Sequence, residues 1–90
     1  MRILVVEDDK VAAEYVRKGL MEAGHVIDIA TDGDLGLEMA RASDYDVLVI
    51  DRMLPKMNGL DILKDLRANK DTTPVLILSA LGEVDHRVEG

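Results

Sequence analysis

The chain has 90 residues, 48% of them hydrophobic, with a formal net charge of -7 and a pI near 4.6. This length is enough for one domain with its own core and too short for two. The acidic charge repels phosphate backbones and anionic lipid, so we expect no direct nucleic-acid or membrane binding. The lack of cysteine excludes disulfides and thiolate metal sites, and no apolar run approaches membrane-spanning length. We expect a soluble intracellular protein.

Short apolar runs alternate along the chain with segments of helical periodicity. Strands are predicted at residues 2–6, 26–30, 46–50 and 74–78, and helices at 10–23, 33–42 and 60–68. Asp9 and Asp32 are predicted to cap the first two helices, and Gly24 to end the first. This alternation implies right-handed crossovers and a doubly wound parallel α/β sheet.

The second and fourth strands differ in what should surround them. Asp28 interrupts the second apolar run, which predicts a half-solvated strand at the edge of the sheet. The fourth run, 75–78, is continuously apolar, which is typical of a strand with neighbours on both sides. No later segment is predicted to supply that neighbour, because residues 82–90 have the pattern of the first turns of a helix. We therefore expect residues 1–90 to be a single, truncated domain.

Three apolar strands end at oxygen-bearing side chains: Glu7 and Asp8, Asp51, and Ser79. The carboxyl ends of parallel strands meet at one edge, so these groups should converge there. At an effective dielectric near 20, two carboxylates ~4 Å apart repel by roughly 4 kcal/mol, which calls for a cation. With only oxygen ligands available, Mg²⁺ is expected before Mn²⁺, and Ca²⁺ less so. Asp51 is the candidate nucleophile toward phosphorus.

The joint spacing of three motifs resembles the receiver domain of bacterial two-component response regulators, most closely the OmpR/PhoB class of transcription factors. The motifs are Val5-Val6-Glu7-Asp8-Asp9, Asp51 with Met53-Leu54-Pro55 and Asn58-Gly59 behind it, and Ser79-Ala80. The resemblance covers essentially the whole chain. It implies a flavodoxin-like (CheY-like) sheet of strand order 2-1-3-4, with the fifth strand and last helix of the family missing.

The resemblance also implies roles for the acidic residues. Asp51 would be the phosphoacceptor and would take its phosphoryl group from a phosphohistidine on a sensor histidine kinase. Asp8 would bind Mg²⁺ directly and Glu7 through water, and the backbone carbonyl of Met53 would be a further metal ligand. Phosphoryl transfer needs mainly in-line positioning and charge neutralisation, which such a set of groups can supply.

The remaining implied roles concern the switch and its output. The Ser79 hydroxyl and the Ala80 N–H would bind the phosphoryl group, and a small shift of the hydroxyl would switch a transcriptional output. The family also uses a lysine at the end of its fifth strand, beyond the end of this chain. DNA would be contacted only through a missing effector domain, and the location would be cytoplasmic.

Two other functions compete with a phosphoacceptor switch. An Mg²⁺-dependent phosphatase with an aspartyl nucleophile usually has a second Asp two residues later, where this chain has Met53. The expectation is therefore that the protein is not an enzyme. The other alternative is a phosphorylation-deficient receiver fragment that self-associates, as a homodimer or swapped oligomer, through its exposed fourth strand and apolar faces.

Overall fold

Strands and helices alternate in the computed structural model, which describes residues 1–78 and the short strand at 84–85. The elements are β1 (Arg2–Val6), α1 (Lys10–Glu22), β2 (Val26–Ala30), α2 (Gly33–Ala42), β3 (Val47–Asp51), α3 (Gly59–Ala68), β4 (Val75–Leu78) and β5 (Val84–Asp85). The four longer strands pair in parallel in the order β2-β1-β3-β4, which confirms the predicted topology. Within the described residues, no helix is both long and apolar enough to cross a bilayer.

The register of the parallel strands brings their carboxyl ends level. Val6, the last residue of β1, pairs with Ala30 on one side and with Ile50 on the other. Asp51, the last residue of β3, pairs with Leu78 at the end of β4. The carboxyl ends of β1, β3 and β4 therefore lie at one edge of the sheet.

Alternation along the strands divides the core between the two faces of the sheet. Leu4 and Val6 of β1 point to the face covered by α2 and α3, and Ile3 and Val5 point to the face covered by α1. All four side chains are buried. Burial of each such side chain contributes roughly 1.5–3 kcal/mol, so the strand that precedes the acidic residues is firmly held.

The first two helices have the capping residues that the sequence predicts. Asp9 accepts hydrogen bonds from the backbone N–H groups of Val11 (2.9 Å) and Ala12 (3.3 Å), and Asp32 caps α2 in the same way. Gly24 follows α1 with φ +91°, in the region that favours glycine. The predicted caps of both helices are confirmed.

The prediction for the end of the chain was wrong. Val84–Asp85, predicted to lie in the first turns of a helix, forms a strand that pairs antiparallel with Ile77 and Leu78 of β4. This strand also supplies β4 with the neighbour that the sequence analysis did not expect. The outer edge of β4 presents backbone groups that need partners, and a chain that folds back satisfies two residues of that edge.

Candidate functional site

The acidic residues after β1 and at the end of β3 come together, as the sequence predicts. One carboxylate oxygen each from Glu7, Asp8 and Asp51 lies within 4.8 Å of the other two. Glu7 and Asp51 are half-buried and Asp8 is exposed. The pairing of Val6 with Ile50 is the cause, because it sets the next residues of the two strands side by side.

Main-chain hydrogen bonds hold the two strand ends in place. The Glu7 N–H donates to the Ala30 carbonyl at 3.0 Å, which extends the β1–β2 ladder by one residue. The Arg52 N–H donates to the Leu78 carbonyl at 2.8 Å and does the same for β3 and β4. The sheet thus continues into the site, so its carboxylates stand on a rigid support.

Glu7 is held in an environment that disfavours its charged form. Its Oε2 is buried and has no hydrogen-bond partner among the described residues. Burial raises the pKa of the Glu7 carboxyl to about 8, with further contributions from a hydrogen bond to Asp51 and from the negative charges of Asp51, Asp8 and Asp9. When protonated, the Glu7 carboxyl donates to Asp51; when both groups are ionised, neither has a proton to share.

The donor set fits a small divalent cation. All three donors are carboxylate oxygens, which hard cations prefer. Two oxygens on opposite sides of one Mg²⁺ are about 4.2 Å apart, so a cluster within 4.8 Å has the scale of a single coordination sphere. A divalent charge would also stabilise the ionised form of Glu7.

The loop that follows Asp51 folds back on the site. The Met53 N–H donates to Asp51 Oδ1 at 3.1 Å and orients the carboxylate, while the Met53 side chain is 62% exposed. Leu54 is buried in the core, and the Gly59 N–H donates to the Arg52 carbonyl at 3.0 Å, which closes the loop. The proposed role of the Met53 carbonyl as a metal ligand stays a prediction.

The predicted phosphoryl-binding residues, Ser79 and Ala80, lie outside the described residues. The last described residue before them is Leu78, which pairs with Asp51. The carboxyl end of β4 therefore lies next to the acidic cluster, as the sequence predicts for this strand. The roles of Ser79 and Ala80 stay predictions.

Sequence reasoning missed the importance of Gly59. The pair Asn58-Gly59 was used only as part of the motif that follows Asp51, without a structural role for the glycine. In the structure Asn58 is the N-cap of α3 and accepts from the Leu60 N–H at 2.8 Å, and the buried Gly59 packs against the main chain of Asp51. A glycine directly after a capping asparagine was the available signal.

Comparison with known proteins agrees with this geometry. The family profile of the response regulator receiver domain matches residues 3–90. The chain belongs to this family. Among curated relatives of this receiver domain is the transcriptional regulatory protein CusR of Escherichia coli (strain K12), 48% identical over 90 residues. The match covers 100% of the present chain and 40% of CusR, and such relatives are regulators of the OmpR/PhoB class.

Solved receiver structures share the fold. The receiver domain of a Francisella response regulator superposes with a TM-score of 0.86 at 40% identity, covering 91% of this chain and 68% of that one. The Thermotoga maritima response regulator TrrA, solved in complex with Mg²⁺-BeF, gives a TM-score of 0.84 at 32% identity, covering 88% of this chain and 69% of that one. The chain thus spans about two thirds of these solved chains.

Proposed function

We propose that this receiver domain accepts a phosphoryl group on Asp51 in a reaction that depends on Mg²⁺. The observation that carries the proposal is the convergence of Glu7, Asp8 and Asp51 within 4.8 Å at the carboxyl edge of the sheet. TrrA, a structural neighbour, was solved in complex with Mg²⁺-BeF, which supports the binding of a divalent ion by such a domain. Glu7, Asp8, Asp51 and the Met53 carbonyl would hold the ion.

The residues of the chain have distinct tasks in this reaction. The Asp51 carboxylate attacks phosphorus, forming an acyl phosphate as the bond from phosphorus to the donor breaks. The Met53 N–H, bonded to Asp51 Oδ1, orients the carboxylate for an in-line approach. Bound Mg²⁺ would supply the charge neutralisation that the transferred group requires. Asp8 is exposed, so an ion that arrives from solvent can reach its carboxylate.

We also propose a kinase partner and a transcriptional output, because the chain belongs to the receiver family. The phosphoryl donor would be a phosphohistidine on a sensor histidine kinase, and the output would be transcriptional, as the name of the transcriptional regulatory protein CusR suggests. Because the present chain spans 40% of CusR, DNA would be contacted by a part of the regulator outside this sequence. The family also implies a cytoplasmic location, which we propose for this protein.

We also propose that the domain is a switch and does not turn over phosphate as an enzyme would. Phosphatases of the aspartyl class usually have a second Asp, two residues after the nucleophile, that acts as acid and base. Met53, two residues after Asp51, has an exposed thioether side chain that cannot exchange protons. The phosphorylated form of Asp51 should therefore accumulate, and repeated rounds of phosphorylation and hydrolysis should not occur.

The direct test is phosphorylation by a small donor. The 90-residue chain, incubated with Mg²⁺ and acetyl phosphate, should gain one phosphoryl group in its intact mass. The Asp51→Ala variant should gain none, and a chelator should abolish the gain in the wild-type chain. Free phosphate, measured in parallel, should not exceed one equivalent per chain during the time in which the adduct forms.

Three results would contradict the proposal. Addition that persists in Asp51→Ala would place the acceptor elsewhere. A wild-type chain that stays unmodified, although circular dichroism shows it folded, would favour the phosphorylation-deficient alternative. Multiple equivalents of phosphate released without a stable adduct would indicate turnover and support the phosphatase function.

Self-association is the second candidate function, and the β3–β4 side of the sheet favours it. Val47, Leu76 and Leu78 are only half-buried on the face where α1 packs mainly on β1 and β2. On the outer edge of β4, β5 pairs with just two residues. A second copy could cover this face, while the net charge of -7 opposes association at low salt.

Light scattering over a range of concentrations tests this candidate. We expect the mass to rise from monomer toward dimer with concentration, and more strongly in high salt than in low salt. Leu76→Lys, which places a charge on the half-buried face, should keep the chain monomeric. A wild-type chain that is monomeric under all these conditions would rule out self-association as its function.

A further inference from the structure

Gly59 lies closer to the phosphoacceptor main chain than any side chain would allow. It is the first residue of α3 and is buried. A Cβ atom added to it would be 2.6 Å from the carbonyl oxygen of Asp51, 3.1 Å from the Asp51 carbonyl carbon and 3.1 Å from the Cα of Arg52. Real Cβ atoms essentially never approach other atoms to within 3.0 Å, so only glycine fits here.

The other glycines of the described part differ in what they meet. A Cβ on Gly36 would be 2.8 Å from a Val6 methyl group, and one on Gly33 would be 3.0 Å from the Met57 side chain. Nothing lies within 4 Å of a Cβ on Gly19 or Gly24. The atoms that a Cβ would meet at Gly36 and Gly33 belong to side chains, whereas those next to Gly59 are main-chain atoms at the end of a buried strand.

Hydrogen bonds also connect Gly59 to the loop that follows Asp51. Its N–H donates to the Arg52 carbonyl at 3.0 Å, and the Met53 N–H, one residue further on, donates to Asp51 Oδ1 at 3.1 Å. The start of α3 therefore contacts the Asp51 main chain directly and also fixes the loop that orients the Asp51 carboxylate. A displacement of the start of α3 would therefore move the Asp51 carboxylate in two ways, through the Asp51 main chain and through the loop that contains Met53.

We propose that Gly59 is a positioning residue: by letting the start of α3 pack on the Asp51 main chain, it sets the place of the Asp51 carboxylate relative to Glu7 and Asp8. This inference rests on the proposed function, since it assumes that the three carboxylates share one Mg²⁺. It assigns to Gly59 no contact with the ion or with the phosphoryl group.

The size of the expected effect follows from the contact distances. Ordinary contact with a Cβ begins at 3.4 Å, so an alanine at position 59 must move about 0.8 Å away from the Asp51 carbonyl oxygen, or displace it. A misplacement of about 1 Å in a reacting group can cost on the order of 100-fold in rate. We expect Gly59→Ala to lower Mg²⁺ affinity by at least about 10-fold and the rate of phosphorylation by about 10- to 100-fold.

The experiment compares three variants at the same ionic strength. Gly59→Ala adds a methyl group against Asp51, Asn58→Ala removes the cap of α3 without adding an atom there, and Gly19→Ala adds a methyl group in open space. Mg²⁺ affinity is measured by calorimetry on folded protein, and thermal stability is recorded for each chain. Asn58→Ala should lose stability and keep its Mg²⁺ affinity within about 2-fold, because capping acts on the helix.

The outcomes separate the role of Gly59 from the proposed function. If wild type binds Mg²⁺ and Gly59→Ala binds it equally well, the positioning role is overturned. It is overturned too if Asn58→Ala loses as much affinity as Gly59→Ala, because α3 stability would then explain both. If wild type binds no Mg²⁺, the proposed function fails and the role of Gly59 falls with it.

A measurement on the wild-type chain keeps the inference testable if Gly59→Ala does not fold. In the chain labelled with ¹⁵N-glycine, saturating Mg²⁺ should shift the amide resonance of Gly59. The reason is that Gly59 packs on the Asp51 main chain, so an ion that moves Asp51 also changes the surroundings of the Gly59 amide. The Gly19 amide, on the exposed side of α1, should not shift. An unchanged Gly59 resonance in the presence of bound Mg²⁺ would overturn the proposal.

Discussion

Glu7 shows how the fold gives one carboxyl group an unusual pKa. It follows a buried strand, so the sheet holds it where solvent reaches it poorly, and two more carboxylates share the same edge. Its pKa of about 8, raised mainly by burial, means that the metal-free site retains a proton at neutral pH. Metal binding should therefore release a proton, as is general for carboxylate sites.

Replacing Glu7 by Gln should stabilise the metal-free protein in alkaline solution. The pKa of Glu7 rises from about 4.5 in the unfolded chain to about 8 in the fold, so the folded state binds more protons between these values and its stability falls as pH increases. Gln avoids this loss. With chelator present, the free energy of unfolding of Glu7→Gln should exceed that of wild type by about 1–2 kcal/mol at pH 8.5, since solvent screens part of the shift.

Urea denaturation at two pH values provides the control. Near pH 4.5 the wild-type Glu7 is already protonated in the fold, so the difference between the two chains should largely vanish. Asp8→Asn, at an exposed position, should gain less than Glu7→Gln at pH 8.5. A Glu7→Gln chain less stable than wild type at pH 8.5 without metal would show that the carboxyl group is not under strain there.

At the scale of secondary-structure elements, the turn between α3 and β4 determines how β4 enters the sheet. Asp71 Oδ1 accepts from the Thr73 N–H at 2.9 Å and from the Thr73 hydroxyl at 2.6 Å. The Arg67 guanidinium donates to the Asp71 carbonyl at 2.7 Å and to the Thr73 carbonyl at 3.0 Å. The turn thus presents Val75 in register with Leu48, and β4 then ends beside Asp51.

Removing the Asp71 carboxylate should destabilise the domain in a pH-dependent way. The hydrogen bonds from Thr73, with a smaller contribution from Arg67, lower the pKa of Asp71 below its usual 3.8. A lowered pKa stabilises the fold above pH 3.8, and this contribution is lost as pH falls toward the folded-state pKa. Asp71→Ala should therefore cost about 1 kcal/mol at pH 7 and progressively less below pH 3.8.

Thr73→Val is the matched control for this turn. It removes the hydroxyl donor and keeps the backbone N–H that also bonds to Asp71, so it should cost less than Asp71→Ala at pH 7. Urea denaturation measures both. A loss in Asp71→Ala that is the same at pH 7 and at pH 3 would mean that the charge of Asp71 does not contribute.

At the scale of the whole molecule, the excess of negative charge and the acidic cluster favour cation binding together. The net charge of -7 raises the local concentration of cations around the chain, and the cluster of Glu7, Asp8 and Asp51 supplies a specific place for one of them. A ligand that binds only the folded state stabilises it by mass action. Stability should thus depend on which cation is present as well as on ionic strength.

We expect Mg²⁺ to raise the melting temperature more than NaCl of equal ionic strength does. At 100 times its dissociation constant, a ligand adds about 2.7 kcal/mol to the free energy of unfolding. Asp51→Asn should melt higher than wild type without Mg²⁺, because one repulsive charge is gone, and should respond less to the ion. Scanning calorimetry measures both chains. Equal responses to Mg²⁺ and NaCl would indicate general screening without a specific site.

Most of the architecture could be predicted from local patterns. The runs of apolar residues identified β1 to β4, and Asp9 and Asp32 were predicted as caps because capping depends on groups within three residues in the chain. The cluster of Glu7, Asp8 and Asp51 was predicted from the rule that parallel strands end at one edge. The strand at Val84–Asp85 was missed because its pairing depends on an open edge of β4 more than on its own residues.

The sequence by itself thus determined the alternating elements, the order of the sheet through the family resemblance, and which carboxylates meet. Only the tertiary structure decided how those groups behave. The pKa of Glu7 depends on burial and on Asp51, which is 44 positions away in the printed sequence. The need for glycine at position 59 depends on how closely α3 approaches β3. Such properties arise from distances between segments that are far apart in the chain, and local patterns do not encode those distances.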